Sequence, residues 1–261
     1  MAGKTDAGAK TGTAVAVPVP AYLKKYKPEG LEHAGESSMI PRLKVLQSQD
    51  EGGEIEQLKN EYGEGAAIIR PLDLCAAKRG EVFLAVPIFA YMSWEKWRDL
   101  KDKGHPTPIV ARTTNADSDL AKLCRNPNTR NEPYKENDNL SYKNVESINL
   151  ILAVTSGPAS NEVVDVAFNK GGHKYGDRLR QYLKRQGREG VPLFGNRLEF
   201  FVDRVENKQQ QKWMQLQHRI PTNPYTPEKD VARLKELFDG FAEMHKARYF
   251  DQVIVDAPPA E

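Results

Sequence analysis

EVFLAVPIFAYMSWEKWRD (residues 81–99) decides the reading of this 261-residue chain. Val, Phe, Ile, Tyr and Trp crowd it, the residue types that suit a pleated, half-buried surface, so it reads as the strongest β segment. Pro87 has no N–H for a ladder and predicts an edge position or a bulge. The apolar run at 82–92 is too short to span a bilayer.

Working outward, residues 101–144 turn polar, with Pro and Asn throughout. They read as a long connection carrying one short helix at 117–124, and connections of this length are usually functional or disordered. SINLILAVTS (147–156) and EVVDVAFNKGG (162–172) read as two strands joined by a Gly-Pro turn. HKYGDRLRQYLKRQG (173–187) reads as a helix with Leu179, Tyr182 and Leu183 as its apolar stripe and Gly187 as its stop. LEFFVDRVE and KWMQLQHRI read as a strand pair turning at ENKQQQ (206–211). TPEKDVARLKELFDGFAEMHKARYF (226–250) is an amphipathic helix pattern. It has Thr226 as N-cap, Pro227 as first helical residue, and Val231, Leu234, Leu237, Phe238, Phe241 and Met244 on the buried face. Upstream, MIPRLKVLQ (39–47) alternates as a first strand, and GAAIIRPLD (65–73) is a short strand or turn.

This order lacks the βαβ alternation of a doubly wound sheet and predicts an α+β or barrel-like domain with helical additions. One domain is expected over 39–250, with a disordered arm at 1–38, rich in Ala, Gly, Thr and Lys, and a short tail at 251–261.

With 39% hydrophobic and 28% charged residues the chain can bury a core. Its 19 Gly, 17 Pro and 2 Cys exclude collagen-like and disulfide-rich classes. Cys75 and Cys124 lack a CxxC partner, which excludes an all-cysteine zinc site. The start has no apolar signal region, so a cytoplasmic location is expected. The net charge of +2 conceals an uneven distribution. Residues 168–220 hold twelve Lys and Arg against five acids, a local surplus that suits an anion.

Catalytic signatures are sparse. Neither G-x-x-x-x-G-K-[ST] nor G-x-G-x-x-G occurs, and the five histidines have no zinc-protease spacing. Gly171–Gly172 before a helix either turns the chain tightly or lets backbone N–H groups approach a phosphate. Asp165 with Glu206 and Lys208 is the one set that could serve a Mg²⁺-dependent nuclease. No cofactor and no metal ligand set is expected.

Aromatic and cationic residues interleave instead. Single-stranded nucleic acid is held by cations that follow phosphates and by rings that stack on bases. Trp94, Trp97 and Arg98 form one cluster, and a helical turn there would put both tryptophans on one face. Tyr142 and Lys143 lie near the end of the long connection. Lys170, Lys174 and Arg178 lie before and within a helix, Arg197 precedes a strand, and Lys212 and Trp213 lie at a hairpin. These eleven are the candidate nucleic-acid-binding residues.

Several stretches resemble a family of tailed-bacteriophage single-stranded DNA-binding proteins. They are AYLKKYKPEGLEHAG (21–35), MIPRLKVLQ (39–47), RGEVFLAVPIFAYMSWEKWRD (79–99), LILAVTS (150–156), GDRLRQYLKR (176–185) and PLFGNRLEFFVDRVENKQQQKW (192–213). The resemblance implies a β-rich, OB-like barrel that binds single-stranded DNA without sequence preference during phage replication or recombination. Partners it implies are single-stranded DNA, phage replication or recombination proteins and further copies of the chain, with no membrane. Many members have extra cysteines in the central connection, where this chain has Cys124, and a strongly acidic tail, where it has Asp251, Asp256 and Glu261. A virion structural protein and a Mg²⁺-dependent nuclease are the alternatives from other classes.

Overall fold

The computed structural model describes residues 40–50, 52–98, 109–135, 140–207 and 209–251. The arm expected at 1–38 and the expected tail beyond Asp251 lie outside the described residues, as does Lys208. Among the described residues the chain forms ten strands and four α-helices. In order these are β1 (Arg42–Val45), α1 (Gly53–Tyr62), β2 (Ala67–Arg70), β3 (Leu74–Ala77), β4 (Val82–Arg98), β5 (Ile109–Thr113) and α2 (Asp119–Arg125). There follow β6 (Pro133–Lys135), β7 (Ser141–Val154), β8 (Val163–Asn169), α3 (His173–Arg188), β9 (Leu198–Glu206), β10 (Lys212–Arg219) and α4 (Glu228–Lys246).

All ten strands join one mixed, open sheet in the order β10-β9-β4-β7-β8-β1-β2-β3, with β5 beside β4 and β6 beside β7. β4, from within the 81–99 segment, is its axis. β4 pairs with β7 along almost its whole length. On its other side β9 covers Val82–Ala85 and β5 covers Trp94–Trp97. Pro87 falls in the interval between them, where a missing N–H breaks no ladder on that side.

The register with β7 shifts between Pro87 and Phe89, which is the expected bulge. Before it the odd residues Phe83 and Ala85 enter the core that α3 closes with Leu179 and Leu183. After it the even residue Ala90 does so, while Phe89 and Tyr91 enter a second core under α4. One inserted residue has exchanged the two faces of the strand. α4 covers the second core with Val231, Leu234, Phe238 and Phe241, whereas Leu237 and Met244 are half-buried. Thr226 does not cap α4, which begins at Glu228: its hydroxyl donates to the Phe194 carbonyl at 2.7 Å.

The strand path β9-β4-β7-β8 places the fourth strand beside the first, a Greek key. The sheet remains open in its backbone pairing. Its β1 and β10 flanks nevertheless meet through Gln47, whose Nε2 donates to the Met214 carbonyl and whose Oε1 accepts from the Met214 N–H, each at 2.8 Å. A side-chain amide thereby does what a strand residue would do.

The described residues of the 101–144 segment, 109–135 and 140–144, hold more regular structure than the one short helix expected. The helix expected at 117–124 is α2, capped by the Ser118 hydroxyl, which accepts from the Ala121 N–H. β5 and β6 flank it. No helix among the described residues is long and apolar enough to cross a membrane.

Candidate nucleic-acid interface

Because β4 is a strand, Trp94 and Trp97 point to opposite faces rather than sharing one. Trp94 is 3% exposed and packs on Ala121 and Cys124 of α2. Its Nε1 donates to Glu146 Oε1 at 3.2 Å and the Arg125 guanidinium lies 4.4 Å from its ring centroid. Tyr142 is also buried, beneath Lys96 Nζ at 4.2 Å from its centroid and beside Tyr134. The expectation that these two rings offer open stacking faces is therefore corrected: both serve packing.

Trp97 and Trp213 are different. Each is half-buried, and each borders the short 3₁₀ turn Lys170–Gly172 that links β8 to α3. Lys170 Nζ lies 4.1 Å from the Trp97 ring centroid. On the other side, a Cβ added to Gly171 would come within 2.9 Å of Trp213 Cζ2, so the indole rests directly on that glycine. Gly172 is similarly close to the Gln215 side-chain amide, which accepts from Trp213 Nε1 at 3.3 Å. The Gly-Gly pair thus makes a packing turn against β10. Lys170 itself adopts φ +45°, a left-handed conformation that L side chains rarely take and that tends to persist where function requires it.

Further cations surround the turn. Lys143 stands opposite Trp97 in the β4–β7 register. Lys174 and Arg178 are exposed on α3 and flank Tyr175, with Lys174 Nζ 4.9 Å from its centroid. Lys212 precedes Trp213 and pairs with Glu206 at 3.4 Å, both half-exposed, a pair of small energetic weight. Arg98 lies over Tyr142 at 5.9 Å, next to Trp97 in sequence. Arg197 stands apart. It donates to the Asn223 carbonyl at 3.2 Å, eight residues before Val205, the partner of Trp213, or about 26 Å along β9.

The sequence reading gave no role to the buried network behind Trp97. Trp97 Nε1 donates to Glu95 Oε2 at 2.6 Å. Glu95 Oε1 accepts from Arg112 Nε at 2.9 Å, from Arg112 Nη2 at 2.6 Å and from the Ser93 hydroxyl at 3.0 Å. Asn149 Nδ2 donates in turn to Ser93 Oγ at 3.0 Å. Burial pushes the Glu95 carboxyl up, opposed by the hydrogen bonds from Trp97 and Ser93 and by the charge of Arg42. Burial brings Arg112 down to about 10. Nearby, Tyr91 donates to Asp165 Oδ2 at 2.8 Å, and burial raises Asp165 against the pull of Arg42. An acid between two tryptophans in the most apolar strand was the available signal, since a charge placed there has to find partners.

Of the Asp165, Glu206, Lys208 set, Lys208 lies outside the described residues, and Asp165 and Glu206 stand on strands that are not neighbours. Asp165 faces away from the core that holds its neighbours Val164 and Val166. β8 and β9 are separated by β7 and β4, and Glu206 shares the parity of the core residues Phe200 and Val202. The described residues contain no group of three His, Cys, Asp or Glu side chains able to hold a metal ion.

The fold and this site define a mixed α/β protein with a lysine-bearing turn bordered by two tryptophans on a Greek-key sheet. Residues 9–238 match the Pam3 phage gp34-like protein family, and the chain belongs to that bacteriophage family. No curated protein and no solved structure matches it.

Proposed function

We propose that this protein binds single-stranded DNA without sequence preference, in support of phage DNA replication or recombination, and that its sheet is an OB-like barrel. The observation that carries the reading is the meeting of Trp97 and Trp213 at the Lys170–Gly172 turn, from strands far apart in sequence. The barrel reading draws on the Greek-key path, on α3 lying between β8 and the returning β9–β10 hairpin, and on the Gln47 bridge across the open flank.

A base stacking on the covered face of Trp97 takes the place of the Lys170 ammonium. The displaced ammonium then meets the adjoining phosphate. Each stacked base contributes about 1–3 kcal/mol. Lys143, Lys170, Lys174, Arg178 and Lys212 meet phosphates, and five such contacts give a slope of log K against log salt of about −3.5 for a single strand.

Titration of tryptophan fluorescence with oligo-dT at two salt concentrations tests this, with duplex DNA as control. Quenching that weakens steeply with salt and favours the single strand is expected. An unchanged emission, or equal affinity for duplex, rejects the function.

A further inference from the structure

We infer that Glu95 is a positioning residue that holds the Trp97 indole ready for a base before DNA arrives. This rests on the DNA-binding reading above. An indole that turns freely loses rotational freedom on stacking, and fixing it in advance removes that cost. Its single polar atom is the Nε1–H, so a bond there sets the ring's orientation and leaves its faces for other contacts. Glu95 Oε2 accepts that proton at 2.6 Å.

Glu95 is itself fixed. It is 1% exposed, and its Oε1 is held by Arg112 Nε and Nη2 and by Ser93. The Arg112 side chain is 4% exposed and comes from β5, whose ladder with β4 pairs Arg112 with Glu95. Asn149 of β7 extends the chain of hydrogen bonds from the opposite strand. Both neighbours of β4 thus hold the acid that orients the ring, and the 101–144 segment contributes to the site through this internal support.

The bond pattern provides a selective variant. In Glu95→Gln the amide oxygen must face Arg112 and Ser93, which supply three donors. The amide NH₂ then faces the indole N–H, donor against donor, with side-chain volume unchanged. The expected result is a displaced Trp97 indole N–H resonance, assigned by its loss in Trp97→Phe, together with oligo-dT binding weakened about tenfold. The salt slope stays as it was, because no phosphate contact is removed.

An unmoved resonance, or unchanged affinity where Trp97→Phe weakens binding, overturns the positioning role and leaves the DNA-binding reading intact. If Trp97→Phe leaves oligo-dT binding unchanged, Trp97 is no stacking platform and the positioning role falls with that part of the reading. Ser93→Ala removes one donor from Glu95 without exposing a buried charge. It decides the matter if Glu95→Gln fails to fold: a smaller displacement of the Trp97 resonance is expected, and an unmoved resonance overturns the inference.

Discussion

Gly176 lies inside α3, where replacement by alanine would ordinarily stabilise a helix by about 1 kcal/mol. The structure reverses that sign. An added Cβ would sit 2.5 Å from Phe168 Cβ, 2.9 Å from Phe168 Cγ and 3.3 Å from Ile148 Cβ. Carbon atoms settle at about 3.5–4.0 Å, so α3 must withdraw by about 1 Å from β8. Phe168 and Ile148 are core residues, 1% and 2% exposed, and the obstructing atoms include Cβ atoms fixed to the backbone. Overpacking of this kind costs about 1–3 kcal/mol, and more where backbone must move. Because those Cβ atoms cannot yield without backbone movement, the upper part of that range, about 2–3 kcal/mol, applies; Gly176→Ala should therefore destabilise by about 1–2 kcal/mol net, lowering Tm by about 2–8 °C for a body of this size. Gly240→Ala in α4 is the internal control: nothing lies within 4 Å of its added Cβ, and it should stabilise by about 0.5–1 kcal/mol. Thermal and urea unfolding of the pair measure both. An unchanged or raised Tm in Gly176→Ala refutes the close approach of α3 to the sheet.

Two further outcomes follow from the site. Gly171→Ala places its Cβ 2.9 Å from Trp213 Cζ2, at the movable end of a side chain; it should shift tryptophan emission and weaken oligo-dT binding several-fold while Tm stays within a few degrees. Unaltered emission would contradict the contact. Burial pushes the Glu146 carboxyl up, yet the His173 imidazole 3.3 Å away, the hydrogen bond from Trp94 and the charge of Arg130 hold it below its usual range. Its contribution to stability is therefore complete above its unfolded pKa of about 4.3 and disappears as pH falls through the lower folded value. Tm measured against pH should show a shallower acid limb in Glu146→Gln, and an identical limb would refute this.

Much of the fold is legible in the apolar periodicity. β4, β7, β8 and the β9–β10 hairpin follow from β-branched and aromatic runs, and α3 and α4 from their stripes. α1 is hard to see in the sequence: GEIEQLKNEY is mostly polar and offers only Ile55, Leu58 and Tyr62 at helical spacing, of which the structure buries Leu58 alone. β5 and β6 are short strands whose partners lie on β4 and β7, so their own residues carry little signal. For the site, the residue types were readable but their directions were not. The single residue inserted after Pro87 decides that Trp94 faces α2 and Trp97 faces Glu95; the proline signals an edge or a bulge, but not which face each later ring takes. The nearness of Trp213 to Gly171 is likewise a product of the curled sheet.

Gln47 also bears on what could be trimmed from this protein. It follows the first strand in the chain, yet it grips the residue next to Trp213, far towards the other terminus. The β1 segment is therefore no detachable ornament. A shortened chain beginning beyond residue 47 would lose the clasp that keeps two distant stretches of polypeptide in step, and with it the fixed footing of the second tryptophan.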